Sequence, residues 1–557
     1  MRKVPIFTGV VAAMAGLLGL TLGGAPAGAA VSPKWAATAT RAERLVHATD
    51  LGRAPAATPL RIAVGLAIQN RSDLDAALAR GDVLTRPEFV ARYAPSATQA
   101  RAVASYLSSQ GFTNVSVAAN RLLVTAGGTV AQATQAFHTS IHHYLQRGVD
   151  VVANTQTAQV PAALASTVVA VLGLNTAGTM HVGATKAAAD PPNPPSDCLI
   201  PGVGYPCTFN PQGFWSAYDA TTAPTGANAK IAIFAEGDVS SVITDLRTEE
   251  AANRLHKVLT TVVPTGPATS DTLGLDEWDM DTQYSTGMAA TVKHLYLYDG
   301  STLNDSDIAS EFNRFASDNK AVAGSASFGE CEFQAFLDGS MLVDDQAFAE
   351  AAAQGQTVFA SGGDTGGFCP VGVGANGVPA GAPDVNYPAA SPWVVGVGGT
   401  TLVINTDGTY DEEVAWAAGG GGPSTLETAP AWTNGIAPPV TVVCSELVDV
   451  PCGRAVPDIA MDADPNSGAN VYVDGEPEGV GGTSLSSPLA LGVWARLQSG
   501  HANALGFAGP KLFAANATAA FHDIILGDTG PYPATPGDDY ATGIGTFDVA
   551  QAATLIQ

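Results

Sequence analysis

Basic side chains are scarce in this sequence of 557 residues, which contains 25 Lys and Arg against 51 Asp and Glu. The acidic excess lies in one part of the chain: residues 190–557 hold 10 basic and 44 acidic side chains, whereas residues 31–189 hold 13 basic and 7 acidic ones. So large an acidic region repels phosphate groups, which argues against nucleic acid as a partner. We expect the basic N-terminal part to bind the acidic remainder electrostatically.

Long apolar runs are also rare, and the one that is present lies at the N-terminus. Arg2 and Lys3 precede an apolar run through Leu22, and small residues follow up to Ala29. This pattern predicts a secretory signal peptide over residues 1–29, with an uncleaved membrane anchor as the alternative. No second stretch is long and apolar enough to span a bilayer. We therefore expect a secreted, extracellular protein without membrane contact after signal removal.

Cysteine is limited to six residues, all after position 190, and no Cys-x-x-Cys pair is present. The missing pair makes a zinc site improbable. An even number of cysteines in an exported chain predicts disulfides. Cys198 with Cys207 and Cys444 with Cys452 are close enough in sequence to close small loops, which leaves Cys331 and Cys369 as a third pair.

The chain divides into two regions with different patterns. Residues 30–181 mix alternating strands, such as residues 60–68, with helices, such as residues 98–110, which predicts a small α+β domain. Residues 182–197 are rich in Ala and Pro and predict an exposed linker with a processing site; the alternative is a tether that is never cut. Residues 198–557 form the second region.

Short apolar strands alternate with helices in this second region. Predicted strands cover residues 230–234, 291–298, 321–328, 357–360 and 393–397, and predicted helices include residues 306–317 and 344–354. This alternation predicts an α/β fold with a parallel sheet covered by helices. Loops at the carboxyl ends of the strands then carry the site.

A candidate nucleophile, Ser484, follows two glycines, and Pro488 lies four residues later. Pro488 suits the first turn of a helix, so Ser484 is expected just before the helix N-terminus, where developing negative charge is favoured. The alternative is an ordinary N-cap. The Gly-Thr-Ser-x-x-x-Pro pattern resembles the serine motif of subtilisin-like peptidases. None of the nine histidines is followed by Gly-Thr, however, so the enzyme is inactive or uses another base.

Carboxylates offer that other base. Glu277 and Asp281 are spaced i, i+4 and share one face of a predicted helix, where two like charges raise at least one pKa. A Glu accepts a proton from serine at an acidic pH at which histidine is already protonated. Asp364 follows a buried strand in a Gly-rich loop, from which a protonated carboxyl can donate to an oxyanion. The alternatives are a solvated acidic helix face and a turn-forming Asp.

Family resemblance connects these signals. Residues 84–95, 106–112 and 119–124 resemble the activation domain of pro-kumamolisin, and the carboxylate and serine motifs together resemble the sedolisin (serine-carboxyl peptidase) family. The resemblance implies a subtilisin-like fold preceded by a ferredoxin-like prodomain. It implies that Ser484 is the nucleophile, Glu277 the general base, Asp281 the carboxylate that orients it, and Asp364 the oxyanion-stabilising acid.

Two outer positions follow from the same resemblance. Glu236 matches a second Glu of the family that extends the proton network. Phe328 stands where kumamolisin-like members have a Trp in that network, so the outer network is expected to be shorter here.

A calcium site near the C-terminus is also implied by the resemblance. The expected ligands of one structural Ca²⁺ are the carboxylates of Asp523 and Asp539 and the backbone carbonyls of Ile524, Thr535 and Gly537. These oxygens form a hard ligand set that suits Ca²⁺. Thr535 stands where the family usually has Gly. The alternative is a Gly/Asp turn cluster without metal.

The resulting hypothesis is a secreted, acid-active peptidase made as a zymogen and working as a monomer. Its partners are protein or peptide substrates and its own prodomain, which acts as an intramolecular inhibitor until acid neutralises enough carboxylates to loosen it. One rival is a catalytically silent secreted binding protein on the same fold. The other is a pepsin-like aspartic peptidase that uses the two Asp-Thr-Gly triplets at Asp364 and Asp528.

Overall fold

The computed structural model describes residues 34–186, 208–368, 383–445 and 452–557, apart from short gaps within the first and third of these ranges. The predicted signal peptide, most of the predicted linker and three of the six cysteines (Cys198, Cys207 and Cys369) lie outside the described residues.

The N-terminal region combines nine strands with four helices. The strands are β1 (Trp35–Ala37), β2 (Ala48–Arg53), β3 (Pro59–Leu66), β4 (Thr113–Val117), β5 (Leu123–Thr129), β6 (Ile141–Gln146), β7 (Val149–Asn154), β8 (Gln159–Pro161) and β9 (Val168–Leu172). The helices are α1 (Arg71–Ala79), α2 (Arg86–Arg92), α3 (Ala97–Ser109) and α4 (Val130–Ala136). The main sheet is antiparallel in the order β4-β5-β3-β9, with α3 and α4 as crossovers. This is the expected ferredoxin-like arrangement.

Local sequence explains where three of these helices begin. Helices α2, α3 and α4 each start with a capping box, in which a Thr or Ser side chain accepts from the third helical N–H and a Glu or Gln side chain returns to the cap. Each box satisfies two backbone donors that the helix itself leaves unpaired.

The second region is built from many short strands around one large sheet. Its strands are β10 (His181–Val182), β11 (Thr185–Lys186), β12 (Lys230–Glu236), β13 (Thr260–Pro264), β14 (His294–Gly300), β15 (Ala323–Ala326), β16 (Phe328–Cys331), β17 (Thr357–Ser361), β18 (Asn386–Tyr387), β19 (Val395–Ile404), β20 (Tyr410–Ala415), β21 (Gly422–Pro423), β22 (Ala455–Val456), β23 (Ile459–Asp462), β24 (Ala469–Val473), β25 (Glu476–Gly481), β26 (Phe521–His522) and β27 (Thr546–Phe547).

Nine helices of this region are described. They are α5 (Pro211–Ala217), α6 (Ser240–Ala252), α7 (Leu275–Met288), α8 (Asp305–Asp318), α9 (Glu332–Asp338), α10 (Ser340–Ala353), α11 (Thr483–Gly500), α12 (Ala508–Ala514) and α13 (Val549–Leu555). The predicted helices at 306–317 and 344–354 correspond to α8 and α10.

The large sheet has the order β13-β14-β12-β15-β17-β19-β20, and β23 also pairs with β19. All of these pairs are parallel except β19 with β20. Every residue of β17 is buried, as is typical of parallel strands with helices on both faces. The fold is subtilisin-like, which confirms the predicted class. A pepsin-like fold of two all-β lobes is wrong, because this sheet is parallel and covered by helices.

The N-terminal sheet docks on α8 and α10 of the second region. Ala63, Leu123 and Leu172 of the N-terminal sheet form one buried apolar cluster with Ala309 of α8 and Val343 of α10. The prodomain thus buries apolar surface of the peptidase region, and the contact does not rest on charge alone.

The position of Ser484 relative to its helix differs from the sequence-based expectation. Helix α11 begins at Thr483, so Ser484 is its second residue and Pro488 is its sixth instead of lying in its first turn. Proline is tolerated inside this helix because the carbonyl that Pro488 cannot bond, that of Ser484, has a partner elsewhere: the Ser327 hydroxyl lies 3.2 Å from it.

One predicted disulfide is confirmed. Cys444 and Cys452 are bonded, with Cα atoms 5.5 Å apart. Cys331 is also disulfide-bonded. Among the described residues, no helix has the length and apolar character needed to cross a bilayer.

Candidate active site

Ser484 lies fully buried in the first turn of α11. The residue before this helix, Gly482, has φ of 115°, a conformation that residues with a side chain rarely adopt. Ser484 Oγ donates to the carbonyl oxygen of Ser327 over 3.2 Å. The hydroxyl therefore sits at a helix N-terminus, as a nucleophile requires, and its hydrogen bond goes to a carbonyl and not to an imidazole.

Ser327 links Ser484 to Asp281 of α7. Its hydroxyl donates to Asp281 Oδ1 over 2.6 Å while lying 3.2 Å from the carbonyl oxygen of Ser484. Burial raises the pKa of Asp281 well above its ordinary value, and the Ser327 hydrogen bond opposes that rise. Asp281 is thus joined to Ser484 through one intervening residue.

Glu277 lies one helical turn before Asp281 on α7, and both side chains are fully buried. Helix α7 packs directly against α11, which carries Ser484. The alternative of a solvated acidic helix face is wrong, since twelve of the fourteen residues of α7 are buried. Two acidic groups one turn apart in a buried helix are the arrangement expected of a proton-sharing pair.

Asp364 follows β17 and reaches the same helix N-terminus from the other side. Its Oδ1 accepts from the Thr483 backbone N–H over 2.8 Å and from the Thr483 hydroxyl over 2.7 Å. Its Oδ2 is buried without a hydrogen-bond partner among the described residues. Burial raises the pKa of Asp364 to about 6, and the Thr483 hydrogen bonds oppose that rise. Below that pH, Oδ2 carries a proton it can donate.

A segment of the same chain passes between Ser484 and Asp364. A Cβ atom built on Gly183 would lie 3.0 Å from Ser484 Oγ and 3.0 Å from Asp364 Oδ2. A Cβ atom built on Gly482 would lie 2.5 Å from Asp364 Oδ2 and 2.6 Å from the carbonyl oxygen of Gly183. The Gly183 carbonyl and the unpaired Asp364 oxygen therefore face the same small space.

Glu236 and Phe328 are the two outer positions that the sequence analysis named. Glu236 ends β12, and burial raises its pKa to about 7, with the negative charges of Asp271, Asp299 and Asp307 adding to the rise. Phe328 packs edge-on against Trp278 of α7, with ring centroids 6.1 Å apart. An aromatic ring thus occupies the predicted place, without the N–H that a Trp would bring.

The residues predicted to bind calcium form one loop cluster near the C-terminus. Both carboxylate oxygens of Asp523 accept from the Gly537 N–H, over 3.1 and 3.0 Å. Asp539 Oδ2 accepts from the Thr535 N–H over 2.6 Å, and Asp539 Oδ1 accepts from the Thr542 N–H over 2.8 Å. Both carboxylates thus contact backbone N–H groups of the 535–539 loop, and their oxygens belong to a hard ligand set.

The structure also contains an acidic cluster that the sequence analysis did not predict. One carboxylate oxygen each of Asp305, Glu330 and Asp338 lie within 4.8 Å of one another, and all three residues are buried. They come from α8, β16 and α9, so only the fold brings them together.

Sequence reasoning missed three residues of the site: Ser327, Thr483 and Gly183. Thr483 had a usable signal, because it precedes Ser484 in the Gly-Thr-Ser motif. Ser327 lies at the end of a predicted strand, where its hydroxyl had no local partner to indicate a role. Gly183 lies within the predicted linker.

Comparisons with known proteins agree with this geometry. Residues 46–177 match the model of the pro-kumamolisin activation domain, and residues 268–520 match the subtilase family. Sedolisin from Pseudomonas sp. (strain 101) is 36% identical over 506 residues, which cover 86% of this chain and 82% of that protein. The chain belongs to the sedolisin family.

Further relatives support the assignment. Xanthomonalisin from Xanthomonas sp. (strain T-22) is 33% identical over 90% of this chain and 66% of that protein. A solved structure of Pseudomonas sedolisin, a serine-carboxyl proteinase complexed with two molecules of pseudo-iodotyrostatin, aligns with a TM-score of 0.57 over 63% of this chain and 98% of that chain. The protein is thus a sedolisin-type serine peptidase with an activation prodomain.

Proposed function

We propose that the protein is a secreted, acid-active serine-carboxyl peptidase that hydrolyses protein or peptide substrates through an acyl-enzyme on Ser484. The observation that carries the proposal is the buried connection from Ser484 through Ser327 to Asp281, with the Asp364 carboxyl and the Ser484 hydroxyl both close to Gly183. Its prodomain acts as an intramolecular inhibitor, and the mature enzyme works as a monomer.

The reaction begins when Glu277 takes the proton of Ser484 while the Ser484 oxygen attacks the substrate carbonyl. Asp281, held by Ser327, orients Glu277 and favours its transfer of that proton to the leaving amine. The oxyanion is held by protonated Asp364 and a backbone N–H. Water then hydrolyses the acyl-enzyme by the same route in reverse.

Glu236 acts as an outer member of this proton system, and Phe328 limits its extent. Because a phenyl ring has no polar donor, it transmits no hydrogen bond between Glu236 and α7. We expect Glu236 to tune the pH range and not to take part in bond making.

One Ca²⁺ ion, when bound, is held by the carboxylates of Asp523 and Asp539 and the carbonyls of Ile524, Thr535 and Gly537. Its chemistry is structural: it neutralises two carboxylates and holds the C-terminal loop in one conformation. The backbone hydrogen bonds of Asp523 and Asp539 already place both carboxylates at this loop.

Replacement of the nucleophile tests the proposal against the silent binding protein. Ser484→Ala should abolish peptidase activity on a denatured protein and leave an uncut precursor. Ser486→Ala is the matched control, since that hydroxyl is also buried in α11 but bonds the carbonyls of Met461 and Asp462. Self-processing retained in Ser484→Ala would reject Ser484 as the nucleophile. Equal inactivity of the wild-type protein at every pH from 2 to 8 would favour the binding protein.

A further inference from the structure

Basic side chains are few in the peptidase region, and those without an acidic partner lie together. Residues 190–557 hold ten Lys and Arg residues. Four of these form ion pairs. Arg496 is buried against three backbone carbonyls, and Lys511 bonds the carbonyl oxygen of Gln557. The remaining four make no ion pair with any residue that the structure describes: Lys230, Arg254, Lys257 and Lys293.

These four cations lie at the amino ends of three neighbouring strands of the large sheet. Lys230 is the first residue of β12, and Lys293 directly precedes β14. Arg254 and Lys257 lie in the loop between α6 and β13. The three strands are adjacent and parallel, and neighbouring strands lie about 4.8 Å apart, so the cations share one edge roughly 10 Å wide. Asp364 follows the carboxyl end of β17 in the same parallel sheet, so the active site lies at the opposite end of the strands.

A pocket of about 520 Å³ lies at the same edge. The Trp215 indole forms part of its wall and is fixed there, because its N–H donates to the carbonyl oxygen of Gly287 over 2.8 Å. Arg254 and His256 are exposed, so their side chains are free to bind a ligand in this pocket. The polar and aromatic side chains that line it include Gln212, Trp215, Arg254, His256 and Thr291.

Carboxylates on the adjoining helices are engaged by other cations. Glu250, near the end of α6, pairs with Arg247 at 2.5 Å. Asp318, the last residue of α8, pairs with both Arg314 and Lys320. Interactions between exposed charges more than about 10 Å apart are largely screened at 0.1 M salt. The edge is therefore locally positive, although the region as a whole is strongly acidic.

We propose that this basic edge, formed by Lys230, Arg254, Lys257 and Lys293 around the pocket, binds a linear polymer of phosphate groups. An Arg side chain binds phosphate through two parallel hydrogen bonds, and a Lys side chain binds it as a point charge. The secreted peptidase would thereby stay attached to phosphate-rich material while its active site, at the opposite end of the sheet, remains accessible.

Phosphate is favoured over other anionic groups by the conditions in which the protein is proposed to work. The choice rests on the proposed function, because a carboxylate polymer loses its charge as the pH falls through about 4, whereas a phosphate chain stays charged. A thin chain is favoured over a nucleic acid duplex because the edge is only roughly 10 Å wide. A duplex would bring further phosphates against the surrounding acidic surface, which repels them.

Calorimetric titration of the uncut Ser484→Ala precursor with linear polyphosphate tests the proposal in the absence of hydrolysis. The titrations are made at about pH 5, where each phosphate still carries a charge, and at several salt concentrations. Adding Lys257→Gln and Lys293→Gln should weaken binding about tenfold or more and lower the slope of log K against log salt by roughly 1.5, as the loss of two phosphate contacts requires. The matched control, Arg314→Gln with Lys511→Gln, removes two exposed charges elsewhere in the same region and should change the affinity less than about twofold.

The outcomes separate this proposal from the proposed function. Equal affinities of the two double variants for polyphosphate would overturn it, as would the absence of binding. Polyglutamate or a single-stranded oligonucleotide that binds as tightly as polyphosphate would also overturn it. Peptide hydrolysis by the same double variants with Ser484 intact should keep the wild-type rate, which shows that both fold. Ser484-dependent hydrolysis without polyphosphate binding would reject the basic edge alone, and polyphosphate binding without hydrolysis would reject the proposed function alone.

Discussion

At the scale of single residues, burial determines what Asp364 can do. Its pKa of about 6 means that the side chain carries a proton below that pH and loses it above, because the buried Oδ2 has no partner among the described residues to stabilise a charge. In the proposed mechanism, the oxyanion donor is therefore present in acid and absent at neutral pH. The proposed acid activity rests on this one carboxyl, independently of how the prodomain is released.

Two substitutions at this position should behave differently. Asp364→Asn presents an N–H at every pH, so its rate should no longer fall as the pH rises through about 6, whereas the wild-type rate should. Asp364→Ala removes the donor and should lower kcat by about 10²–10³-fold at acidic pH. The measurement is kcat against pH on a peptide substrate. The same fall of kcat near pH 6 in the wild type and in Asp364→Asn would show that another group causes the loss of activity above that pH.

Sequence alone predicted the residues with strong local signals and missed those with none. Ser484 and Asp364 follow from Gly-rich motifs, and Asp281 from its spacing to Glu277. Ser327 makes its two contacts with residues 46 and 157 positions away, so no local pattern indicates them. Its role depends on packing among a strand and two helices.

At the scale of elements, the beginning of α11 shows how the site is held. Pro488 removes the helical partner of the Ser484 carbonyl, and Ser327, directly after β15, lies 3.2 Å from that oxygen. The sequence predicted this helix but placed its start too late, because proline is far more common in a first turn than in a second. The distant hydroxyl that makes Pro488 tolerable cannot be read from the motif.

Ser325 provides a control for the role of Ser327 at the beginning of α11. Ser325 lies two residues earlier, inside β15, and its hydroxyl bonds the Ser487 hydroxyl over 2.7 Å. Loss of either buried hydrogen bond should cost about 1–3 kcal/mol of unfolding free energy. Only Ser327→Ala should also lower kcat, by about tenfold or more with KM unchanged, because it alone positions Asp281 and Ser484.

Thermal unfolding and steady-state kinetics of the two variants measure these effects. Equal losses of activity in Ser325→Ala and Ser327→Ala would show that general packing, and not the hydrogen bond to Asp281, is responsible.

At the scale of the whole molecule, two buried carboxylates lie at the contact between the prodomain and the peptidase region. Asn120 of the N-terminal region donates to Glu350 of α10 over 2.6 Å, and Arg61 pairs with Asp307 of α8 at 3.1 Å. Burial nevertheless raises the pKa of both acids, to about 7 for Glu350. Protonation of these two groups therefore stabilises the folded chain, whereas the contacts that Asn120 and Arg61 make with them favour the charged forms.

The sign of this effect can be measured with the uncut Ser484→Ala precursor. Glu350 has an ordinary pKa of 4.5 and a pKa of about 7 in the folded chain, so its stabilising contribution is complete below about pH 4.5 and is lost as the pH rises through 7. Glu350→Gln should remove this loss and raise the unfolding free energy at pH 7.5 by about 1–3 kcal/mol, with little effect at pH 4.

Thermal unfolding at the two pH values provides the comparison, with Glu412→Gln, on the exposed face of β20, as the control. A Glu350→Gln variant that is less stable than its parent at pH 7.5 would show that the charged form is favoured at this interface.

The fold class and the sheet with its covering helices were predicted from the alternation of strands and helices, since that alternation reflects burial. The pairing of residues 181–182 with β16 and of residues 185–186 with β25 was not, because the sequence of this segment carries no sign of the strands with which it pairs. Only the completed sheets supply those partners.

The most direct test of the account is the pH dependence of kcat/KM for the wild-type enzyme and for Glu277→Gln, in which an amide of the same shape cannot accept the serine proton. The proposed mechanism predicts wild-type activity in acid that falls above about pH 6, where Asp364 loses its proton. It also predicts a loss of roughly 10²–10⁴-fold in Glu277→Gln at every pH. Wild-type rates in Glu277→Gln, or activity that rises towards neutral pH as a histidine loses its proton, would contradict it.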